Sequence, residues 1–344
     1  MSTLLHDWER VFSDDAEEQA SIDAMRNEMA ALRDELDAAI PQKREVGRNL
    51  LIATWNIRAF GNLTERWRSR ESDSPKRNLR GLLYIAEIIS RFDVVALQEV
   101  KGNFKALREL MKTLGPSWSF LMTDENRGSK GNGERMAYVF DTSRVGLSGL
   151  AGELTVPADD RVTAALSADP GEPFTQFARS PYAVSFRAGA ETFILCTLHV
   201  LYGKGYADRT PELTAIAQWV KDWAKDTASW GHSLIVLGDF NIDEQGDVND
   251  RAFRSEGLYI PPELDDEART VSFKADGKPP KYYDQIAWFK EGGDIALGLN
   301  FKRAGGYNFT GKLFSQAPEL TAQQMSWRVS DHLPLWCEFE ARPR

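Results

Sequence analysis

Several side chains able to bind a metal or move a proton fall at the rims of short apolar runs. Asn56 follows Ile-Ala-Thr-Trp, Glu99 follows Val-Ala-Leu-Gln, and His199 follows Leu-Cys-Thr-Leu. Asp239 and Asn241 follow Ile-Val-Leu-Gly, Asp284 precedes Gln-Ile-Ala-Trp, and Asp331 and His332 precede Leu-Pro-Leu-Trp. One acid at a strand end is ordinarily a turn or capping residue. Repeated at so many rims, the pattern predicts a polar site presented by a rigid sheet.

The apolar runs themselves read as strands over Leu50–Trp55, Val94–Leu97, Met136–Phe140, Ala183–Phe186, Phe193–Leu198, Leu234–Leu237, Gln285–Phe289 and Leu335–Phe339. Between them, Leu79, Leu82, Leu83, Ala86 and Ile89 share one helical face, and Leu213, Ile216, Ala217 and Val220 another. Thr210 and Pro211 are placed as N-cap and first helical residue of the second helix. So many strands need more than one sheet, and two packed sheets flanked by helices fit the order. Before Asn49 the pattern differs. Ile22, Met25, Met29, Leu32, Leu36 and Ala39 form the apolar stripe of one helix, which Pro41 ends and a linker follows. Residues 1–48 are therefore expected to be an acidic helical extension and 49–344 the main domain. The stripe can dock on that domain or mediate self-association.

Composition narrows the functional classes. The net charge of −9 is uneven: residues 1–48 carry twelve Asp and Glu against six Lys and Arg, leaving −3 for the rest. Between Arg58 and Arg80 lie seven basic residues (Arg58, Arg66, Arg68, Arg70, Lys76, Arg77, Arg80) against Glu65, Glu71 and Asp73, a local basic patch on an acidic chain. The two cysteines, Cys196 and Cys337, each fall in a strand and are expected to be inert buried thiols. With no signal-like N-terminus and no membrane-length apolar run, a cytoplasmic protein is expected.

Ordered blocks then give a resemblance. Thr-Trp-Asn-Ile-Arg-Ala-Phe-Gly (54–61), Leu-Gln-Glu-Val-Lys (97–101), Thr-Leu-His (197–199), Gly-Asp-Phe-Asn (238–241), Tyr-Asp-Gln-Ile (283–286) and Ser-Asp-His-Leu-Pro (330–334) resemble the signature blocks of the endonuclease/exonuclease/phosphatase superfamily. Gly-Glu-Arg-Met-Ala-Tyr-Val-Phe (133–140) and Phe-Ala-Arg-Ser-Pro-Tyr-Ala-Val (177–184) point to its deoxyribonuclease I-like branch. The resemblance implies a four-layered α/β sandwich, two mostly antiparallel sheets between helices, here with an N-terminal helical extension.

The resemblance also implies roles. Asn56, Glu99 and Asp331 would bind metal, and as hard oxygen donors without a thiolate they suit Mg²⁺ or Mn²⁺. His199 and His332 would flank the scissile phosphate, oriented by Glu134 and Asp284 respectively, each carboxylate fixing a tautomer and favouring the protonated ring. Asp239 and Asn241 would position or activate the attacking water and hold a phosphate oxygen, with Asp239 or a histidine taking the water's proton, and Arg179 would add positive charge. Of the four histidines, His6 and His232 lie outside every block and are expected to be surface or packing residues.

Substrate must come from the loops. Arg58 and Lys101 stand where a deoxyribonuclease I relative carries backbone-contacting or groove-inserted bases, and Asn132 stands where its pattern has a stacking tyrosine. The segment Tyr202–Arg209 reads as a flexible surface loop, with the alternative that its aromatic and charged residues line the site. A metal-dependent nuclease, with DNA the favoured substrate and endonucleolytic cleavage expected, is the reading that follows. The alternatives are a hydrolase of another phosphate ester, of RNA, sphingomyelin or inositol-phosphate type, and a scaffold that only binds nucleic acid.

Overall fold

In a computed structural model of the chain, the described residues are 8–44, 48–126, 132–155, 177–228, 232–271, 281–291, 293–315 and 320–341, without the side chain of Tyr206. His6 and the linker at 45–47 lie outside them. Every apolar run expected to be a strand is one. The first sheet holds β1 (Leu50–Phe60), β2 (Val94–Lys101), β3 (Trp118–Met122), β4 (Glu134–Asp141), β11 (Asn300–Gly306) and β12 (Leu335–Glu340). The second holds β5 (Gly146–Glu153), β6 (Tyr182–Ala188), β7 (Glu191–His199), β8 (Ser233–Asp239), β9 (Leu258–Tyr259) and β10 (Asp284–Phe289). Their orders are β11-β12-β1-β2-β4-β3 and β5-β6-β7-β8-β10-β9. Only β1 with β2 and β7 with β8 run parallel among these neighbours.

Side-chain alternation along β1 shows how the layers form. Leu50 and Ile52 join the core between the sheets, whereas Leu51, Ala53 and Trp55 join a second core on the outer face of the first sheet. Helices α1 (Ala16–Ala39), α2 (Leu79–Ile89) and α3 (Lys105–Leu114) cover that outer face, and α4 (Thr210–Ala228) covers the second sheet. Two short helices, α5 (Val248–Arg254) and α6 (Ala322–Arg328), complete the set among the described residues. The result is an α/β sandwich of four layers. Thr210 does not cap α4 as expected: the helix begins at Thr210 itself, whose hydroxyl donates to Asn249 Oδ1 at 2.7 Å.

The N-terminal stripe is buried within the chain. Ile22, Met25, Met29 and Leu36 are fully enclosed, and Glu28 of α1 pairs with Arg80 of α2 at 2.6 Å. Ala39, expected on the stripe, is exposed, and Ile40 beyond the helix end fills that place. The large apolar side chains of this face are thus covered within the chain, which removes the sequence argument for self-association. Cys196 and Cys337 are free and buried, and burial pushes both thiols above their ordinary range. Among the described residues no helix is long and apolar enough to cross a membrane.

Candidate active site

Strand register alone brings three of the singled-out residues together. The parallel β7–β8 ladder sets His199 beside Asp239, and the antiparallel β10–β8 ladder sets Asp284 beside the same residue. Gly238 makes this closeness possible: its φ is +143°, and a Cβ there would lie 2.0 Å from the Leu198 carbonyl oxygen. The first sheet contributes differently. Asn56 and Glu99 were expected just past their strands but lie inside them, because β1 and β2 continue through register shifts between Asn56 and Phe60 and between Leu97 and Val100. At these shifts Ala59 (φ 46°) and Glu99 (φ 62°) take the left-handed conformation, as do Asn132 (φ 57°) and Asn241 (φ 51°). Four of the five non-glycine residues with positive φ among those described therefore border this site.

Asp239 sits at the centre. Its Oδ2 accepts from Asn56 Nδ2 at 3.0 Å and lies 3.5 Å from His199 Nε2 and 3.8 Å from His332 Nε2. Its Oδ1 accepts the Asn241 amide at 3.0 Å, and Asn241 Nδ2 donates to the Val200 carbonyl at 2.8 Å. Burial would raise this carboxyl, but the charges of His332 and His199 and the donors on Asn56 and Asn241 hold it below the usual range.

Behind each imidazole stands a second carboxylate. Glu134 places Oε2 3.1 Å from His199 Nδ1 and 2.8 Å from Arg179 Nε, at ion-pair distance, while its Oε1 accepts from Lys101 Nζ at 2.9 Å and Asn132 Nδ2 at 2.6 Å. Burial works against its charge, yet His199, Arg179 and Lys101 together hold it well below the usual range. Asp284 meets His332 more simply, with Nδ1 and Oδ2 2.7 Å apart. Complete burial pushes Asp284 up to about 6, and despite its own burial His332 is lifted well above the ordinary imidazole range by Asp284 and Asp239. Tyr283 covers this pair, its ring stacked 5.8 Å from that of His332 at 29°.

Three oxygen-bearing residues flank this centre. Glu99 Oε1 accepts from Asn56 Nδ2 at 3.2 Å and its Oε2 from the Ala59 amide at 2.9 Å. Asn56 Oδ1 and Asp331 Oδ1 are buried acceptors with no hydrogen-bond partner. Such orphaned acceptors are rare in folded chains and fit a bound cation. Among the described residues no three His, Cys, Asp or Glu groups form a complete metal shell, so the Asn56 amide must be counted with the two carboxylates. An oxygen-only donor set fits a hard divalent ion.

The basic residues divide. Arg179 is buried, with Nη1 donating to the His199 carbonyl at 3.2 Å, and the Lys101 ammonium also reaches the Asn132 carbonyl at 3.1 Å. Arg58 pairs with Asp331 Oδ2 at 3.3 Å. The expected basic patch is smaller than its sequence count. Arg80 faces inward to Glu28, and buried Arg77 donates to the carbonyls of Arg58 (2.6 Å), Ala59 (3.1 Å) and Val329 (2.9 Å). Arg77 is lowered to about 10, chiefly by burial. It ties the segment bearing Asn56 to the segment bearing Asp331, a function that its type and spacing did not disclose.

Two further neighbours stand out, Arg209, which favours the site-lining alternative for its segment, and Trp327, which no motif singled out. Arg209, read as part of a surface loop, is buried and donates to the Asn241 carbonyl at 2.7 Å and to Asp243 at 2.6 Å. Trp327 on α6 lies under the Arg58 guanidinium at 3.6 Å. The sequence did carry a signal for α6, the Thr321 and Gln324 capping box just before the Ser-Asp-His block.

Comparison with known proteins gives the family and the fold. A sequence model of the Endonuclease/Exonuclease/phosphatase family matches residues 53–332. A relative named deoxyribonuclease, from Thioalkalivibrio sp. (strain K90mix), is 27% identical over 304 residues, covering 85% of this chain and 71% of that protein. Among solved structures, a mannosyl-6-phosphatase from Bacteroides thetaiotaomicron VPI-5482 matches with TM-score 0.52 and 18% identity, over 84% of this chain and 99% of the other. D. rerio TDP2 complexed with a single-strand DNA product matches with TM-score 0.52 and 16% identity, over 85% and 98%. These two share the fold, and a fold does not fix a substrate.

Proposed function

The chain belongs to the endonuclease/exonuclease/phosphatase family, and from its site we propose that it is a divalent-metal-dependent nuclease hydrolysing DNA phosphodiester bonds by attack of water. The observation that carries this reading is the convergence of two histidines, each backed by its own carboxylate, on buried Asp239. Asn56, Glu99 and Asp331 are the proposed holders of Mg²⁺ or Mn²⁺, which when bound neutralises phosphate charge.

The remaining steps fall to the chain's own groups. Asp239 and Asn241 orient the water, and the Asp239 carboxylate, held below the usual range, takes the proton it loses on attack. His332, kept protonated by Asp284 and Asp239, donates to a phosphate oxygen on which charge develops. His199 does the same from the other side, its ring fixed by Glu134. Arg179 supplies positive charge close to His199, while Arg58 and Lys101 stand nearer the surface as contacts for the nucleic-acid backbone. Endonucleolytic cleavage, a cytoplasmic location suited to two free thiols, and a division into an acidic extension (1–48) and a catalytic domain (49–344) belong to the same proposal.

The relative named deoxyribonuclease supports DNA as the substrate. A panel of plasmid DNA, single-stranded oligonucleotide, RNA, a sugar phosphate, sphingomyelin and an inositol phosphate, each with Mg²⁺ and with Mn²⁺, tests it. Turnover is expected on DNA. Turnover on a sugar or lipid phosphate without cleavage of DNA would replace the nuclease reading with another phosphoesterase.

A further inference from the structure

Beside the site lies a cavity of about 360 Å³ bordered by Arg58, Ala59, Pro75, Lys76, Arg77 and Trp327. That volume is in the range of small-molecule pockets. One wall is the Trp327 indole, 43% exposed, one of five large apolar side chains left exposed among the described residues. The ring is also held in place. The Arg58 guanidinium lies 3.6 Å from its centroid, donates to Ser326 Oγ at 2.8 Å and pairs with Asp331 Oδ2 at 3.3 Å.

Indole, cation and candidate metal ligand thus form one connected unit. Arg77, bound to three backbone carbonyls, makes that side of the cavity rigid. Lys76 adds a second surface cation, and the acid on the cavity, Asp73, is already paired with Arg66 at 3.5 Å. A preformed aromatic surface flanked by cations has the chemistry that recognises a nucleotide: π-face against indole, phosphate against ammonium or guanidinium.

We propose that this cavity takes one unpaired nucleobase of a single-stranded nucleic acid, stacked on Trp327, next to the hydrolysed phosphodiester and with a neighbouring phosphate facing Arg58 and Lys76. The proposal rests on the nuclease reading and narrows it. A base inside a duplex is paired and stacked on its neighbours, so single strands or frayed ends are the preferred substrates. Every base has a π-face, so the site discriminates little between sequences.

Binding without hydrolysis tests this, by fluorescence anisotropy of a labelled oligothymidylate in EDTA against the full-length protein. Trp327→Ala should raise Kd by about fivefold or more, the scale of one base–aromatic stack, while Trp327→Phe retains most of the affinity. A base-free tetrahydrofuran-phosphate polymer of the same length should bind the parent more weakly and gain nothing further from Trp327→Ala. Duplex binding and the salt slope of single-strand binding should be unchanged by Trp327→Ala. Equal loss on the base-containing and base-free polymers, or no loss on either, would overturn the stacking site. Adding Mg²⁺ to the same samples separates the two readings. Trp327-dependent binding without cleavage would sink the nuclease assignment alone, and cleavage without Trp327 dependence would sink this site alone.

Discussion

The two histidine–carboxylate pairs look equivalent in sequence and are not equivalent in the fold. Glu134 stands in a polar cluster, where Lys101, Asn132 and Arg179 all reach it in addition to His199. Asp284 is enclosed, with His332 on one oxygen and no hydrogen-bond partner on the other. The charge of Glu134 therefore rests on Arg179 and Lys101 as well as on His199. Asp284 and His332 depend on each other and titrate as a unit. One pair is a charge hub that also fixes two cations, and the other is an isolated couple that keeps one imidazole protonated.

The strongest way to break that comparison is to remove each imidazole. His199→Ala and His332→Ala are each expected to lower kcat by at least about a hundredfold, as measured by single-turnover cleavage of a labelled oligonucleotide. A near-parental rate in either would remove that histidine from the chemistry. The carboxylates sharpen the contrast at smaller scale. Asp284→Asn should cost nearly as much as His332→Ala, since His332 loses the partner that keeps it protonated. Glu134→Gln should cost about ten- to a hundredfold and also raise KM, because Arg179 and Lys101 lose their shared anchor. Adding Glu134→Gln to His199→Ala should change kcat little further, and a fully additive loss would mean that the two do not act as a unit.

Stability against pH separates the same carboxylates by sign. Glu134 is depressed in the fold, so its contribution is present above its ordinary value of 4.5 and lost as pH falls through the depressed value. Asp284 is raised to about 6, so its contribution is present below its ordinary 3.8 and lost as pH rises through about 6. In urea melts, the cost of Glu134→Gln should stay constant from about pH 5 to 8 and shrink in acid. Asp284→Asn should gain relative to the parent as pH rises from about 4 to 6 and then level off. The same trend for both variants would contradict the two environments.

The smallest effect on activity is expected far from both pairs. Met25 and Met29 of α1 are fully buried, so Met25→Ala should cost about 2–5 kcal/mol of stability in a chemical melt. A chain starting near Arg48 should be less stable or less soluble but keep its activity per folded molecule. A folded, soluble truncation without activity would place α1 within the site.

What could be read from sequence follows how deeply each element is buried. All eight expected strands lie inside the two sheets, where apolar residues run nearly unbroken. The strands not foreseen, β3, β5, β9 and β11, are the four sheet edges. β5 shows why: its residues alternate between half-buried and exposed and include Gly146, Gly149 and Gly152, so its apolar signal is faint. The site was legible to the extent that rims of interior strands carry it, as with His199, Asp239 and Asp284. The backbone turn at Glu99 does not follow from its residue type: Glu99 and Ala59 take positive φ where β1 and β2 shift register. Arg77 and Trp327 escaped notice because their importance lies in partners distant in the chain, Val329 for one and Arg58 for the other.

The central claim is that the two pairs act on a phosphodiester beside a bound divalent ion. Its most direct test is cleavage of single-stranded and plasmid DNA by rigorously metal-stripped protein, before and after graded addition of Mg²⁺ or Mn²⁺, with Glu99→Ala and Asp331→Asn alongside. The account predicts no cleavage without metal, saturable recovery in the parent, and no recovery in the variants at metal concentrations that saturate the parent. Full turnover by the stripped protein, or parental metal dependence in both variants, would contradict it.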